Sequence, residues 1–354
     1  MKAVTITGYF ATGSGAVYNL LQEYSSISDG GLSAYEHIFL YDINGVFETV
    51  DRLLYCNRLY NSNHAINVFR KEMKRLNNVD FGWFGGYRYL VGNKFMNIIE
   101  EFITEITEYT IKREWYGTFV GRKYSFSRIT KDIVKFILGK NKFNHNFGTY
   151  IAMDKENKGE FSFASKEKLV KATRSLVEKY LDIMYKKTDK TIILNHLLQP
   201  QDAKRLEQFM PEDMKMIIVD RDIRDLYVYN KYTNVWGGNT FPTDVDDFIS
   251  FMKSYRATEC KVDSNRILRV QFEDLIYKYE ETVQKIEKFL EIDSLTHHLK
   301  KEVFVPEKSI KNTQIFLMDD AWKEEVDKVA KEFPDLVYDF PYDQLTRMED
   351  LFDA

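Results

Sequence analysis

Short apolar runs alternate along the chain with segments whose apolar residues have helical spacing. Four runs are predicted to be buried strands, at residues 4–7, 191–194, 214–219 and 266–270. Strands of continuous apolar character that alternate with helices are typical of a mainly parallel sheet covered on both faces. We therefore predict an α/β fold with a mainly parallel sheet flanked by helices. A further strand is expected at residues 34–40, before the turn signal at 42–45.

Helical periodicity dominates the middle of the chain. Phe95, Ile98, Ile99, Phe102, Ile103 and Ile106 form the clearest amphipathic pattern. We interpret about residues 60–188 as a helical, aromatic-rich insertion within a single domain that spans residues 1–354. In the C-terminal half, residues 226–232 and 245–255 are also predicted to be helical. Thr243 is the predicted N-cap of the helix at 245–255.

Two segments of this middle region stand out by composition. Residues 82–92 form a loop rich in glycine and aromatic residues. Residues 112–142 carry nine Lys or Arg against two acidic residues, interleaved with aromatic residues. Such a basic aromatic stretch suits an anionic or sugar-bearing acceptor or a membrane surface, and equally a solvated helix face with core aromatics.

Composition narrows the class of protein. The 354 residues are 44% hydrophobic and 15% aromatic, enough for a large core, and the net charge of −4 argues against a general nucleic-acid binder. Cys56 and Cys260 fit neither a disulfide framework nor a zinc site, and the six histidines form no metal cluster. No signal peptide and no transmembrane run are visible, so we expect a cytoplasmic protein.

The first predicted strand leads through a loop of small residues, Gly8 to Gly15, into a helix. Backbone N–H groups and the helix dipole make such a junction an anion site. The loop lacks the Lys and Ser/Thr of a Walker A motif, because Ser14 and Gly15 follow Gly13. The loop is therefore predicted to bind a monophosphate or a sulfate ester rather than a triphosphate; the alternative is an ordinary tight turn.

A second candidate anion site follows the strand at residues 214–219. Arg221 and Arg224 lie at the end of this strand, where α/β sheets bind their ligands. The planar guanidinium of Arg221 matches a phosphate. Asp222, Arg224 and Asp225 are alternatively a purely structural group of ion pairs.

With these motifs the chain resembles the sulfotransferases that use 3′-phosphoadenosine 5′-phosphosulfate (PAPS). The resemblance lies in four segments in the family's order, at residues 8–17, 216–232, 266–290 and 306–312. It implies a P-loop-containing nucleoside triphosphate hydrolase-like fold, and it does not cover residues 60–188.

The resemblance also implies roles for individual residues. The loop Ala11, Thr12, Gly13, Ser14, Gly15 and Ala16 would hold the 5′-phosphate, chiefly through amides. Arg221 and Tyr229 would bind the 3′-phosphate, and Phe272 would pack near the adenine. Lys308, Ser309, Lys311 and Asn312 lie in the late loop that closes on the nucleotide. This chain has Ala11 where the family has Lys or Arg, so Lys308 and Lys311 are candidate substitutes.

The family's usual general base is a histidine, and His196 takes its position after the strand at residues 191–194. An imidazole of ordinary pKa suits proton abstraction near neutral pH. The alternative is that His196 only ends the strand. Because some relatives use a carboxylate, Glu36 is the second candidate base.

We therefore predict transfer of a sulfuryl group from PAPS to an acceptor hydroxyl, with PAP as product and without a metal. We expect the acceptor to be a carbohydrate or another glycan-like molecule, which includes lipid-linked glycans. The alternatives are a P-loop kinase or nucleotide hydrolase, and a non-catalytic relative that binds anionic glycans or lipid headgroups. The oligomeric state is not predicted.

Overall fold

The computed structural model describes residues 2–33, 35–80, 82–111, 137, 159–185, 188–233, 239–259 and 261–344. The basic aromatic stretch at residues 112–142 lies outside the described residues, apart from residue 137.

A five-stranded parallel sheet organises the part of the chain that the structure describes, in the order β2-β5-β1-β6-β7. Its strands are β1 (Ala3–Gly8), β2 (Ile27–Ser28), β5 (Thr191–Asn195), β6 (Met214–Asp220) and β7 (Ile267–Gln271). The central strand β1 pairs with β5 on one side and with β6 on the other. This confirms the predicted mainly parallel sheet, to which the two-residue strand β2 is an unpredicted addition.

Helices connect and cover these strands. They are α1 (Ser14–Gln22), α2 (Val46–Tyr55), α3 (Leu59–Asn78), α4 (Tyr87–Val91), α5 (Lys94–Ile106), α6 (Lys166–Met184), α7 (Ala203–Phe209), α8 (Ile223–Val228), α9 (Val245–Ala257), α10 (Asp274–Tyr277), α11 (Tyr279–Leu290), α12 (Pro306–Ser309) and α13 (Lys323–Glu332). A π-helical turn, Tyr229–Thr233, continues α8, and short 3₁₀ turns include Ile38–Leu40 and Ile310–Asn312.

Alternate residues of the strands feed cores on opposite faces of the sheet. In β5, Ile192 and Leu194 pack into the core formed with α2, α3, α5 and α6. Ile193 packs instead into the core that includes Leu20 of α1 and Ile286 of α11. Because both faces are covered, the strands read as continuous apolar runs.

Two short strands, β3 (Tyr109–Ile111) and β4 (Gly159–Phe161), pair antiparallel outside the main sheet. The Arg70 guanidinium fixes β4, since it contacts the carboxylates of Glu160 at 2.6 Å and Glu100 at 2.8 Å. The helices on either side belong to the segment expected to be an insertion; its status as an insertion stays a prediction. Among the described residues, no helix is both long and apolar enough to cross a bilayer.

Three local predictions need correction. In place of the strand predicted at residues 34–40, the described residues 35–40 contain only isolated bridges from Glu36 to Phe84 and Asn195, and the chain then turns into a 3₁₀ helix. The N-cap of α9 is Asp244, whose carboxylate accepts the N–H groups of Asp246 and Asp247, rather than Thr243. The helix predicted at residues 226–232 begins at Ile223 and changes to a π-helical turn at Tyr229.

Candidate active site

The candidate site lies at the carboxyl edge of the sheet. Because its strands are parallel, their carboxyl ends meet at this edge. The residues that follow directly are the loop Tyr9–Gly13 after β1, His196 after β5, Arg221 after β6 and Phe272 after β7. The sequence-predicted residues from distant parts of the chain are thus brought to one edge.

The loop after β1 has an unusual backbone. The hydroxyl of Thr12 accepts the N–H of Tyr9 at 3.1 Å and closes the loop on itself. Phe10 and Ala11 both have left-handed φ angles, 55° and 54°. For non-glycine residues this conformation costs about 1–3 kcal/mol each, and it is concentrated at functional sites.

The end of this loop presents a row of free backbone donors. Gly13 is the N-cap of α1 in the left-handed region, and no side chain caps the helix. Within the described part of the chain, the N–H groups of Thr12, Gly13, Ser14 and Gly15 have no hydrogen-bond partner. Free amides at a helix N-terminus, with no acidic residue in the first turn, form a cradle suited to an anion.

Phe272 supports this cradle from beneath. A Cβ at Gly13 would lie only 2.4 Å from the Phe272 ring, and the φ angle of Gly13 is 89°. Gly13 is therefore required both for the turn and for the close approach of the ring. Phe272 itself is buried in the core beside α1, so its predicted contact with adenine stays a prediction.

Arg221 joins the loop to the late segment of the chain. Its guanidinium is 3% exposed and donates to the carbonyls of Ala11 at 3.0 Å and Asn312 at 2.5 Å. The Nε atom is buried without a hydrogen-bond partner among the described residues. The cation also lies 5.4 Å from the Phe272 ring centroid and 5.7 Å from that of Tyr229. The guanidinium therefore lies against the backbone of the loop at Ala11.

Buried carboxylates lie behind Arg221. Asp222 pairs with Arg224 at 2.6 Å, and Asp225 accepts the N–H groups of Gln314 and Phe316. Glu273 accepts the N–H of Asp222. Burial raises the pKa of Asp225, and it raises that of Glu273 to about 8. Arg224 and its acidic neighbours thus make the contacts expected of a purely structural group of ion pairs. Arg221, in contrast, contacts the loop after β1.

The late segment contributes mainly backbone to this edge. Ser309 is buried at the end of α12, Lys308 is exposed and Lys311 is half-buried. The carbonyl of Asn312 is the group that meets Arg221. The role of Lys308 and Lys311 as substitutes for a loop cation stays a prediction.

His196 lies against the end of the loop after β1. Its backbone is left-handed, with φ of 50°, and both ring nitrogens are engaged. Nδ1 lies 3.3 Å from the Thr7 hydroxyl, and Nε2 lies 3.2 Å from the Ser14 hydroxyl. Burial lowers the pKa of His196 to about 4. Thr7 was not among the site residues predicted from the sequence. Its signal there is a hydroxyl side chain in a buried strand of mainly apolar residues.

Glu36 is the neighbour of this histidine at the edge of the sheet. It forms a parallel bridge with Asn195, the residue before His196. The half-buried carboxylate makes no hydrogen bond or ion pair with another described residue. Burial raises the pKa of Glu36 to about 7. An unpartnered carboxylate with this pKa is suited to accept a proton near neutral pH.

The described residues contain no group of three or more His, Cys, Asp and Glu side chains that could hold a metal ion. The edge instead combines an amide cradle, a buried cation and a proton acceptor. This combination can bind an anionic group and deprotonate a hydroxyl next to it.

Neither the protein-family models nor the curated proteins contain a match to this chain. Solved structures that are similar to it include sulfotransferases, the family whose motifs the sequence resembles. The sulfotransferase domain of the Synechococcus PCC 7002 olefin synthase has 12% identity and a TM-score of 0.39, with 96% of this chain and 95% of that domain covered. Sulfotransferase STF9 of Mycobacterium avium has 9% identity and a TM-score of 0.39, with 98% and 78% covered. Because these likenesses are distant, the residues of the site itself have to carry any functional inference.

Replacement of Gly13 tests whether the loop depends on its close approach to Phe272. We expect Gly13→Ala to lower the free energy of unfolding by about 1–3 kcal/mol, because Cβ clashes with the ring and the φ angle is left-handed. Gly15→Ala is the matched control: its Cβ has open space, and alanine favours a helix over glycine by up to about 1 kcal/mol. Chemical denaturation measures both. Equal destabilisation by the two changes would contradict this geometry.

Proposed function

We propose that this protein is a sulfotransferase that moves the sulfuryl group of PAPS to an acceptor hydroxyl. The observation that carries the proposal is the convergence, at one sheet edge, of the free amides of Thr12 to Gly15, the buried guanidinium of Arg221 and the carboxylate of Glu36. An anion cradle beside a proton acceptor is what transfer between an anionic donor and a hydroxyl requires.

The donor would lie along the edge from the loop towards β6 and β7. The amides of Thr12 to Gly15 would hold the 5′-phosphate at the N-terminus of α1, whereas the N–H of Ala16 already donates to the carbonyl of Gly13 at 2.9 Å. Arg221, through donors that the two carbonyls leave available, would bind the 3′-phosphate with Tyr229. Phe272, Ser309 and Asn312 would complete the nucleotide site. The loop amides, with Lys308 and Lys311 as candidate cations, would neutralise the charge on the leaving 5′-phosphate.

We assign the general base to Glu36 and a positioning role to His196. Both ring nitrogens of His196 are already engaged with Thr7 and Ser14, whereas the Glu36 carboxylate is unpartnered among the described residues. A base is most effective when its pKa is near the working pH, which favours the raised pKa of Glu36 over the lowered pKa of His196. His196 would hold the Ser14 hydroxyl beside the bound donor.

In the reaction, the acceptor oxygen attacks sulfur while the bond from sulfur to the 5′-phosphate oxygen breaks. The acceptor proton passes to Glu36, and PAP leaves with its charge held by the amide cradle. The product is a sulfate ester.

A P-loop kinase or nucleotide hydrolase is less favoured. Ser14 occupies the position of the Walker lysine, so the loop has no lysine where a triphosphate would need one. The Ser14 hydroxyl contacts His196 instead. The non-catalytic alternative depended on residues 112–142, which lie outside the described residues.

Nucleotide binding separates these functions. We expect PAP at a hundredfold excess over its Kd to stabilise the protein by about 2.7 kcal/mol, visible as a raised melting temperature. ATP with magnesium should stabilise it far less, because the loop lacks a lysine for the γ-phosphate. Thermal unfolding with each ligand provides the measurement. Equal stabilisation by the two nucleotides would contradict the proposal.

Replacement of Arg221 tests the 3′-phosphate site. Because Arg221→Ala also removes the link between Ala11 and Asn312, we expect weaker binding of every nucleotide. Adenosine 5′-phosphosulfate lacks the 3′-phosphate, so PAP should lose about ten- to hundredfold more affinity than this ligand. Arg224→Ala is the control, since Arg224 pairs with Asp222 and should affect both ligands alike. Isothermal titration that shows equal losses for Arg221→Ala would make Arg221 structural only.

The pH dependence of the rate tests the base. Because Glu36 must be deprotonated to accept a proton, kcat/KM should rise with pH through about 7. Glu36→Gln should remove this limb and lower kcat by about 10²–10⁴ while PAP affinity is unchanged. In His196→Gln the limb should remain, because the pKa of His196 lies near 4. Release of PAP from PAPS is the assay. A limb that disappears only in His196→Gln would return the base to His196.

A further inference from the structure

The glycine- and aromatic-rich segment at residues 82–92 borders the candidate base. The backbone N–H of Glu36 donates to the carbonyl of Trp83 at 2.7 Å, and Glu36 also forms a parallel bridge with Phe84. Glu36 therefore lies between Asn195, the last residue of β5, on one side and the Trp83–Phe84 pair on the other. The indole of Trp83 is 62% exposed.

The backbone that carries this indole is held on several sides. The Tyr35 hydroxyl donates to the carbonyl of Gly85 at 2.7 Å, and the N–H of Gly86 donates to the carbonyl of Leu76 at 2.7 Å. Gly85 has a φ angle of 65°, and a Cβ there would lie 2.5 Å from a methyl group of Val79. The segment is thus locked against α3 by contacts that only glycine allows.

The Trp83 side chain is also oriented by a ring contact. Its indole meets the Phe84 ring edge to face, at 4.7 Å between centroids and an interplanar angle of 79°. A single exposed aromatic residue is ordinary on a protein surface. Here, however, a large exposed ring is carried by a backbone that is fixed by several hydrogen bonds. The carbonyl of Trp83 accepts the N–H of Glu36, whose carboxylate has no partner among the described residues, at the edge of the sheet where ligands bind. Such preorganised exposure is typical of a ligand contact.

We propose that Trp83 is the acceptor platform of this enzyme, on which a neutral pyranose ring stacks so that one of its hydroxyl groups reaches Glu36. The C–H face of a pyranose packs on an indole while its hydroxyls stay in water or bond to nearby polar groups. The catalytic part of this inference rests on the proposed function, but sugar binding can be measured independently.

Two features favour a neutral sugar. Since Trp83 leaves most of its surface open, it suits a ligand that covers one ring face, whereas a small phenol binds best when a pocket encloses it. No Lys or Arg among the described residues pairs with the Glu36 carboxylate, so an anionic sugar placed next to it would be repelled.

The test uses the full chain with maltopentaose, cellopentaose, laminaripentaose and chitopentaose as sugar probes and 4-nitrophenol as the phenol probe. Binding is measured by saturation-transfer NMR and calorimetry, with and without PAP. We compare the wild type with Trp83→Ala, Trp83→Phe and the control Tyr55→Ala, which removes another exposed ring at the end of α2. PAP titration of each variant shows whether the donor site is intact.

We expect at least one oligosaccharide to bind, Trp83→Ala to weaken it about tenfold or more, and Trp83→Phe to restore part of the affinity. Tyr55→Ala should have no effect, and all variants should bind PAP equally. The inference is overturned if Trp83→Ala leaves sugar affinity unchanged, if only the phenol binds, or if PAP binds and no oligosaccharide does. Sugar binding that depends on Trp83 in a protein that does not bind PAP would support the platform and refute the sulfotransferase proposal instead.

Discussion

The candidate site depends on the hydrogen bonds that the buried guanidinium of Arg221 makes. A charge this deeply buried is costly unless its surroundings compensate it. Here two backbone carbonyls, of Ala11 and Asn312, accept from it, and Asp225 lies close enough to act electrostatically. Removal of the guanidinium would remove both of these hydrogen bonds and the link they make between the loop after β1 and the late segment. The same contacts place positive charge next to free loop amides, which makes the site receptive to anions.

Much of this arrangement follows from the pattern of the sequence. The apolar runs of β1, β5, β6 and β7 predict a parallel sheet, and a parallel sheet brings the residues after each strand to one edge. The positions of His196 and Arg221 at this edge are therefore within reach of sequence reasoning. The left-handed φ angles of Phe10 and Ala11 are not, because their backbone is imposed by tertiary contacts such as the bond from Arg221.

The incorrect predictions have physical reasons as well. Tyr35, His37 and Phe39 alternate as in a strand, but the N–H of Glu36 bonds to Trp83 and the chain turns at Ile38. Thr243 and Asp244 are both good N-cap residues, so residue type does not decide between them. In the structure the helix begins at Val245, and Asp244 therefore accepts the helix amides. Burial cannot be inferred from residue type alone. In the structure, burial raises the pKa of Glu36 and lowers that of His196, which reverses the order that their free side chains suggest.

The absence of a cation at Ala11 then has a consequence for how donor binding would proceed. In a loop with its own lysine, charge neutralisation needs no other segment. Here Arg221 donates both to the carbonyl of Ala11 in the loop and to the carbonyl of Asn312 in the late segment. A phosphate bound to the remaining donors of Arg221 would therefore contact a group that already links the loop and the late segment. Under the proposed function, donor affinity and the order of residues 306–312 are coupled through one side chain, so a change that loosens this segment should weaken PAP without touching it.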